Sequence, residues 1–362
     1  MSTCLNFEFA ADSCPWSPPR AKVLVTGATG FLGPALVRRL LAHGYRGIRC
    51  FVRPGADRTR LEKVESEFPD ATLEYSVGEL TSEADVAQAL NGINIIFHLA
   101  AGMRGSPADI FWDSVICSNR MLSVIKASRS LRIVLVSSFG VYGVAQSPRR
   151  SLVDENTPLE PFPEQRDPYS YGKWRQESQF REHQQRLGFE LVVVRPGVVY
   201  GPGGGRLSTR VGLNLAGLFL HCGHGNILPL TYVDNCAEAI VIAGSHPAAA
   251  GESYNVHDDD LPTARSYLKQ YKLYVRRIPS FPLPYFAIIG LSHLIKKYHR
   301  FSKGQLPSIL TPHKSASLWK GNRFSNDKLK SLGWRPLVAT QEGLRRTFQS
   351  FAEEDRLNEA RR

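Results

Sequence analysis

The sequence predicts an α/β fold, a doubly wound parallel sheet with a smaller lobe at its C-terminal side. Three observations carry that prediction. Short β-branched apolar runs alternate with helical stretches through the first two thirds of the chain. The first run enters a glycine-rich turn, Thr26-Gly27-Ala28-Thr29-Gly30-Phe31-Leu32-Gly33, and a helical pattern leaves it. At 362 residues and 43% hydrophobic content the chain can bury one large core, or one core and a lobe.

Taken in order, strands are expected at 22–25, 48–52, 72–76, 93–98, 132–137 and 190–195, and helices at 31–42, 82–89, 111–128 and 169–187. After Arg195 glycine and proline become dense, and the chain is expected back at the sheet near 232–243 and 253–256. This divides the chain into an N-terminal extension (1–20), a sheet domain (21–200, its sheet completed by 231–257), a lobe (most of 201–352) and a charged, frayed tail (353–362). In the first turn Gly27, Gly30 and Gly33 allow a tight bend and let a diphosphate approach amides that a Cβ would block. The helix behind it directs its positive end at that anion. The turn therefore predicts a bound dinucleotide.

Composition narrows the class. The six cysteines (4, 14, 50, 117, 222 and 236) lack paired spacing, which fits a reducing cytoplasm better than a disulfide framework. Residues 1–20 show no basic start followed by an apolar run, so no secretory signal is expected. The formal net charge of +12 admits nucleic acid, an anionic membrane or anionic small molecules. The basic residues read as spread out, with no nucleic-acid motif, so a nucleic-acid partner is not expected.

The chemistry lies in two further stretches. In Asp167-Pro168-Tyr169-Ser170-Tyr171-Gly172-Lys173 a tyrosine and a lysine stand four apart, on one face of a helix. An adjacent ammonium lowers a phenol's pKa toward a usable acid/base. Tyr171 and Arg175 offer the same spacing, so this pattern alone leaves the pair open. In Val134-Leu135-Val136-Ser137-Ser138-Phe139-Gly140 a buried strand runs into hydroxyl residues. Ligands of an open parallel sheet lie beyond such strand ends.

Together the glycine turn, the serine pair and Tyr169/Lys173 resemble the extended short-chain dehydrogenases/reductases, specifically the NAD-dependent epimerase/dehydratase family. Phe97-His98-Leu99-Ala100-Ala101, Arg195-Pro196-Gly197-Val198-Val199-Tyr200-Gly201-Pro202, Tyr232-Val233-Asp234-Asn235 and Leu332-Gly333-Trp334 extend the resemblance over roughly residues 21–350. It implies a Rossmann-type domain and a substrate-binding lobe. It makes Ser138 the catalytic hydroxyl, Tyr169 the acid/base, and Lys173 the group that lowers its pKa and holds the nicotinamide ribose. The implied cofactor contacts are Gly27, Thr29, Gly30, Phe31, Leu32 and Gly33 in the turn, with Leu99, Ala100, Ala101, Ser137, Pro196 and Val198 along the cleft. Glu79 and Leu80 fall at the adenine edge, and Met103, Ser138, Phe139 and Tyr200 at the substrate. One departure stands out: the family's usual asparagine position holds Cys117.

Arg53, after the second strand, sits where NAD-selective sites carry a carboxylate one position earlier, which favours NADP(H) over NAD(H). Phe139 and Gly140 stand where the family's dehydratases carry an Asp-Glu pair, which disfavours dehydration. Hydride exchange at a carbinol carbon remains, as an epimerase or a reductase. The leading substrate class is a nucleotide sugar; a 3β-hydroxysteroid-like or dihydroflavonol-like alcohol is the alternative, and a non-catalytic dinucleotide-binding regulator the third. The family also implies a homodimer through paired helices. The apolar segment 278–295 with basic flanks allows a peripheral membrane contact. No metal is expected: His221-Cys222-Gly223-His224 reads as a turn and His257-Asp258-Asp259-Asp260 as a solvated strand-end loop.

Overall fold

A computed structural model describes residues 20–128, 130–215, 217–223, 225–301 and 310–360. The extension up to residue 19, with Cys4 and Cys14, and His224 lie outside the described residues.

The apolar runs pair as one seven-stranded parallel sheet: β1 (Lys22–Thr26), β2 (Gly47–Val52), β3 (Glu74–Val77), β4 (Ile95–His98), β5 (Arg132–Val136), β6 (Glu190–Pro196) and β7 (Ser253–Val256). Their order is β7-β6-β5-β4-β1-β2-β3, so the direction of winding reverses between β1 and β4. Successive side chains point to opposite faces, and both faces are covered. Val23 and Val25 join one core cluster with Leu36, Val37 and Leu40 of helix α1 (Gly33–Ala42). Leu24 joins the other, with Met121 and Leu122 of α2 (Cys117–Val124) and Phe180 of α3 (Pro168–Leu187). That two-sided burial is why these strands read as unbroken apolar runs.

Three expectations are corrected at the level of elements. Most of 232–243 is helix α4 (Val233–Ser245), buried against α1; only Ser253–Val256 returns to the sheet. The helix expected at 111–128 starts at Pro107, passes through a π-turn at Trp112–Ile116 and ends at Val124. The tail from Glu353 is not frayed, since helix Thr340–Ala360 continues through it and Arg206 pairs with Glu354 and Asp355.

The lobe has its own sheet of Gly212–Leu215, Leu218–Cys222 and Ser280–Leu283, with Ile288, Leu310 and Trp319 packed on Cys222. It is tied to the sheet domain beside β5. Arg323–Phe324 pairs with Leu152–Val153, His313 Nε2 lies 3.1 Å from Glu160 Oε2, and Lys320 Nζ donates to the Ser147 carbonyl at 2.6 Å.

Charge is not spread along this frame, which corrects the reading of the sequence. From Leu261 to Asn326 there are twelve lysines and arginines and no aspartate or glutamate. That stretch therefore carries an excess equal to the whole chain's net charge of +12.

Candidate active site

A parallel sheet delivers the C-terminal ends of all its strands to one edge, and the reversal of winding opens a crevice there. The order of strands decides what faces what. Arg53 follows β2 and Glu79 follows β3 on one side of the reversal. The glycine turn follows β1 at its centre, next to Leu99, Ala100 and Ala101 after β4. Ser137 and Ser138 follow β5, and Pro196 ends β6, on the other side.

The turn fits a diphosphate. Gly27 has φ +71°, and a Cβ on it would stand 2.9 Å from the Ala100 amide nitrogen. A Cβ on Gly33 would stand 2.1 Å from the Ala28 carbonyl oxygen, so the helix approaches the strand only as glycine. Helix α1 opens at Leu32 with no side-chain cap, leaving the positive end of the helix for an anion. The described residues thus form a cradle without supplying its negative charge.

At the other end, Ser138 Oγ accepts the Gly140 amide at 3.1 Å and lies near enough to the Tyr169 phenol to favour its ionised form. Asp167 caps α3 by accepting the Ser170 amide at 3.1 Å, and Tyr169 lies in the first turn behind that cap. The alternative pair is excluded by placement: Tyr171 stacks on Phe111 at 6.1 Å, and Arg175 reaches Glu182 on the surface. Lys173 is buried and donates to the Val136 carbonyl at 2.7 Å and to Gln176 Oε1 at 2.9 Å. Burial pushes its ammonium down to about 7, against the opposing attraction of Glu177.

Residues 23–256 match the NAD dependent epimerase/dehydratase family. The chain belongs to that family. It is an extended short-chain dehydrogenase/reductase, an enzyme type built to use a nicotinamide dinucleotide. It is 29% identical over 256 residues to a Bacillus subtilis (strain 168) protein described as an uncharacterized UDP-glucose epimerase, YtcB, covering 65% of this chain and 76% of that one. It is 24% identical over 348 residues to the mouse (Mus musculus) sterol-4-alpha-carboxylate 3-dehydrogenase, decarboxylating, covering 91% of each. The solved structure of gox2253 superposes with a TM-score of 0.73 at 23% identity, covering 92% of this chain and 99% of that one, and shares the fold.

Within this family member the phenol departs from expectation. Burial raises Tyr169 above the ordinary tyrosine value, and the nearby Ser138 hydroxyl only partly offsets it. The ammonium of Lys173 is directed at Val136 and Gln176. Two substrate assignments also change. The Tyr200 hydroxyl is buried, donating to Asp258 Oδ2 at 3.0 Å, and is not free for a ligand. Met103 is 72% exposed. Phe139 is buried and stacked on Phe324 of the lobe at 5.3 Å, so it forms a wall and not an open contact. The 257–260 loop is solvated only in its second half: His257 and Asp258 are buried, with Asp258 binding the Tyr232 amide and Asn235, while Asp260 is exposed. Among the described residues no group of three or more His, Cys, Asp or Glu side chains is placed to hold a metal.

The residues missed in the sequence lie under the site. Glu177 is fully buried and accepts Ser137 Oγ at 2.7 Å, Arg195 at 2.5 Å and Arg181 at 2.9 Å. Arg195 also donates to the Tyr142 hydroxyl at 3.0 Å, which donates to Asn255 at 2.6 Å, joining the ends of β5, β6 and β7. Burial acts to raise the Glu177 carboxyl, but the Arg195 guanidinium overrides it and holds it below the usual range. Gln176 Nε2 reaches the Ala100 carbonyl at 3.0 Å and Ser118 Oγ at 2.8 Å. His98, in the same cluster, is pushed by burial down to about 3 and stays neutral. Gln176 and Glu177 follow Lys173 by three and four, a helical spacing that was there to be read.

Proposed function

We propose that this chain catalyses reversible hydride transfer at the carbinol carbon of a substrate bearing an anionic group, first of all a nucleotide-activated sugar. The observation that carries this is a cation, Arg210, in the cavity walled by Phe139, the residue after Ser138. Arg210 lines a cavity of about 20 Å³ with Phe139, Asn226, Lys320 and Phe324. Among the described residues no side-chain hydrogen bond or salt bridge holds its guanidinium, and burial and the neighbouring Arg166 push it down to about 10 against the attraction of Asp167. Such a group is stabilised by a ligand's phosphate or carboxylate. The cavity holds little more than a water, far below the several hundred Å³ typical of ligand pockets.

In this mechanism Ser138 hydrogen-bonds the carbinol oxygen and Tyr169 takes its proton during oxidation and returns it during reduction. A bound nicotinamide supplies the hydride acceptor and donor. Lys173 sits beneath the Tyr169 turn to hold the ribose, and the cradle at 27–33 takes the diphosphate. No acid stands at Phe139 or Gly140 to protonate a leaving hydroxyl, which favours epimerase or reductase chemistry over dehydration. The test is Arg210→Ala. KM for a UDP-sugar is expected to rise about tenfold to a hundredfold with kcat little changed, the loss of one charged hydrogen-bond contact. An unchanged KM, or turnover of neutral alcohols alone, removes the reading.

A second reading, an apolar alcohol carrying a carboxylate or phosphate, is favoured by the apolar surface of the lobe. The named sterol dehydrogenase relative is consistent with it. For the cofactor we propose NADP(H). Arg53 is 63% exposed and 3.1 Å from Asp113, close enough to exchange that carboxylate for a 2′-phosphate. Arg53→Ala should weaken NADP(H) binding about tenfold or more and leave NAD(H) unchanged, measured by nucleotide fluorescence titration. Equal loss for both, or a wild-type preference for NAD(H), contradicts it. Cytoplasmic residence and a homodimer paired through α2 and α3 complete the proposal.

A further inference from the structure

We propose that the lobe docks on an anionic phospholipid surface through the outer face of helix Tyr285–Phe301. Phe286, Leu294, Tyr298 and Phe301 on that helix are 77%, 66%, 56% and 84% exposed. At about 3.6 residues per turn these four fall on one side. Ile288 and Ser292 fall on the opposite side and are buried, Ile288 packing with Cys222, Leu310 and Trp319. The helix is therefore anchored by one face and, among the described residues, leaves a second apolar face uncovered. Phe281, on the strand just before it, is 58% exposed.

Two sources could cover such a face, and charge distinguishes them. The face lies within the acid-free stretch Leu261–Asn326, where twelve basic residues have no aspartate or glutamate among them. Arg276 and Arg277 precede the helix, and Lys296 and Lys297 stand in it. A second copy would bring the same excess of positive charge against itself, which repels. An anionic bilayer attracts it, each lysine or arginine near the surface contributing about 1 kcal/mol in a charged leaflet. Aromatic and leucine side chains with interspersed lysines suit the boundary between headgroups and acyl chains. Among the described residues no helix is long and apolar enough to cross a membrane, so the contact lies along the surface.

The consequence is local. The same lobe supplies Lys320 and Phe324 to the cavity that Phe139 lines. This extends the second reading of the substrate, yet the docking stands without it, because it needs no turnover to be seen.

The test is flotation of the full chain with phosphatidylcholine vesicles, with and without phosphatidylglycerol. Binding is expected only with phosphatidylglycerol, and is expected to fall several-fold as salt is raised. The double variant Phe286→Ser with Leu294→Ser should reduce the bound fraction about tenfold or more. Both side chains are exposed, so nicotinamide-nucleotide binding should be retained and serves as the check on folding. Lys296→Glu with Lys297→Glu should weaken binding without touching the apolar face. No flotation at low salt, equal binding to both vesicle types, or self-association through this helix in place of vesicle binding would each overturn the proposal. If flotation succeeds and Arg210→Ala leaves KM unchanged, the docking stands and the anionic-substrate reading falls.

Discussion

Tyr169→Phe is expected to lower kcat about 10³-fold while leaving nicotinamide-nucleotide affinity within about twofold. The phenol lies near the Ser138 hydroxyl and can exchange a proton with a carbinol. Removing its oxygen leaves the ring, the cradle and Lys173 in place, so binding survives and proton transfer does not. The pH profile carries a second check. Burial holds the free phenol protonated above its ordinary value, so it begins as the acid for reduction and must lose its proton before it serves oxidation. The oxidation rate is therefore expected to rise with pH, and the reduction rate to fall at high pH. Turnover by the phenylalanine variant at the wild-type rate would assign the proton to another group.

Glu177→Ala is expected to destabilise the fold by about 3–5 kcal/mol, read from the urea midpoint. The carboxylate is the one partner that balances Arg195 inside the sheet edge, and it also receives Ser137 and Arg181. Its loss leaves a buried guanidinium held only by the Tyr142 hydroxyl. Glu177→Gln keeps the shape and should restore part of the stability, because the amide oxygen still accepts one donor. A loss below about 1 kcal/mol would mean that water replaces the carboxylate without difficulty.

These two predictions differ in how far they could be read from residues alone. Ser138, Tyr169 and Lys173 could be proposed from the sequence only with the family resemblance, because Tyr171 and Arg175 have the same helical spacing. The strands were legible because burial on both faces imposes long apolar runs. Glu177 was not legible as a structural centre. Its role depends on Arg195 and Ser137, which lie on different strands and meet it only once β5 and β6 are adjacent. Tyr200 failed for the same reason: its motif suggests a site residue, and Asp258, far away in sequence, captures its hydroxyl. The acid-free stretch was fully present in the sequence and went unnoticed, since a net charge does not say where its excess sits.

By itself the chain determined the sheet and the glycine cradle, because each rests on periodicity or on spacing within one element. Tertiary structure alone decided that Lys173 turns to Val136 and Gln176, that Arg210 has no salt bridge among the described residues, and that one face of Tyr285–Phe301 is exposed among them. Those outcomes depend on which distant groups converge and how much water they exclude, and burial, not adjacency along the chain, sets the strength of each interaction.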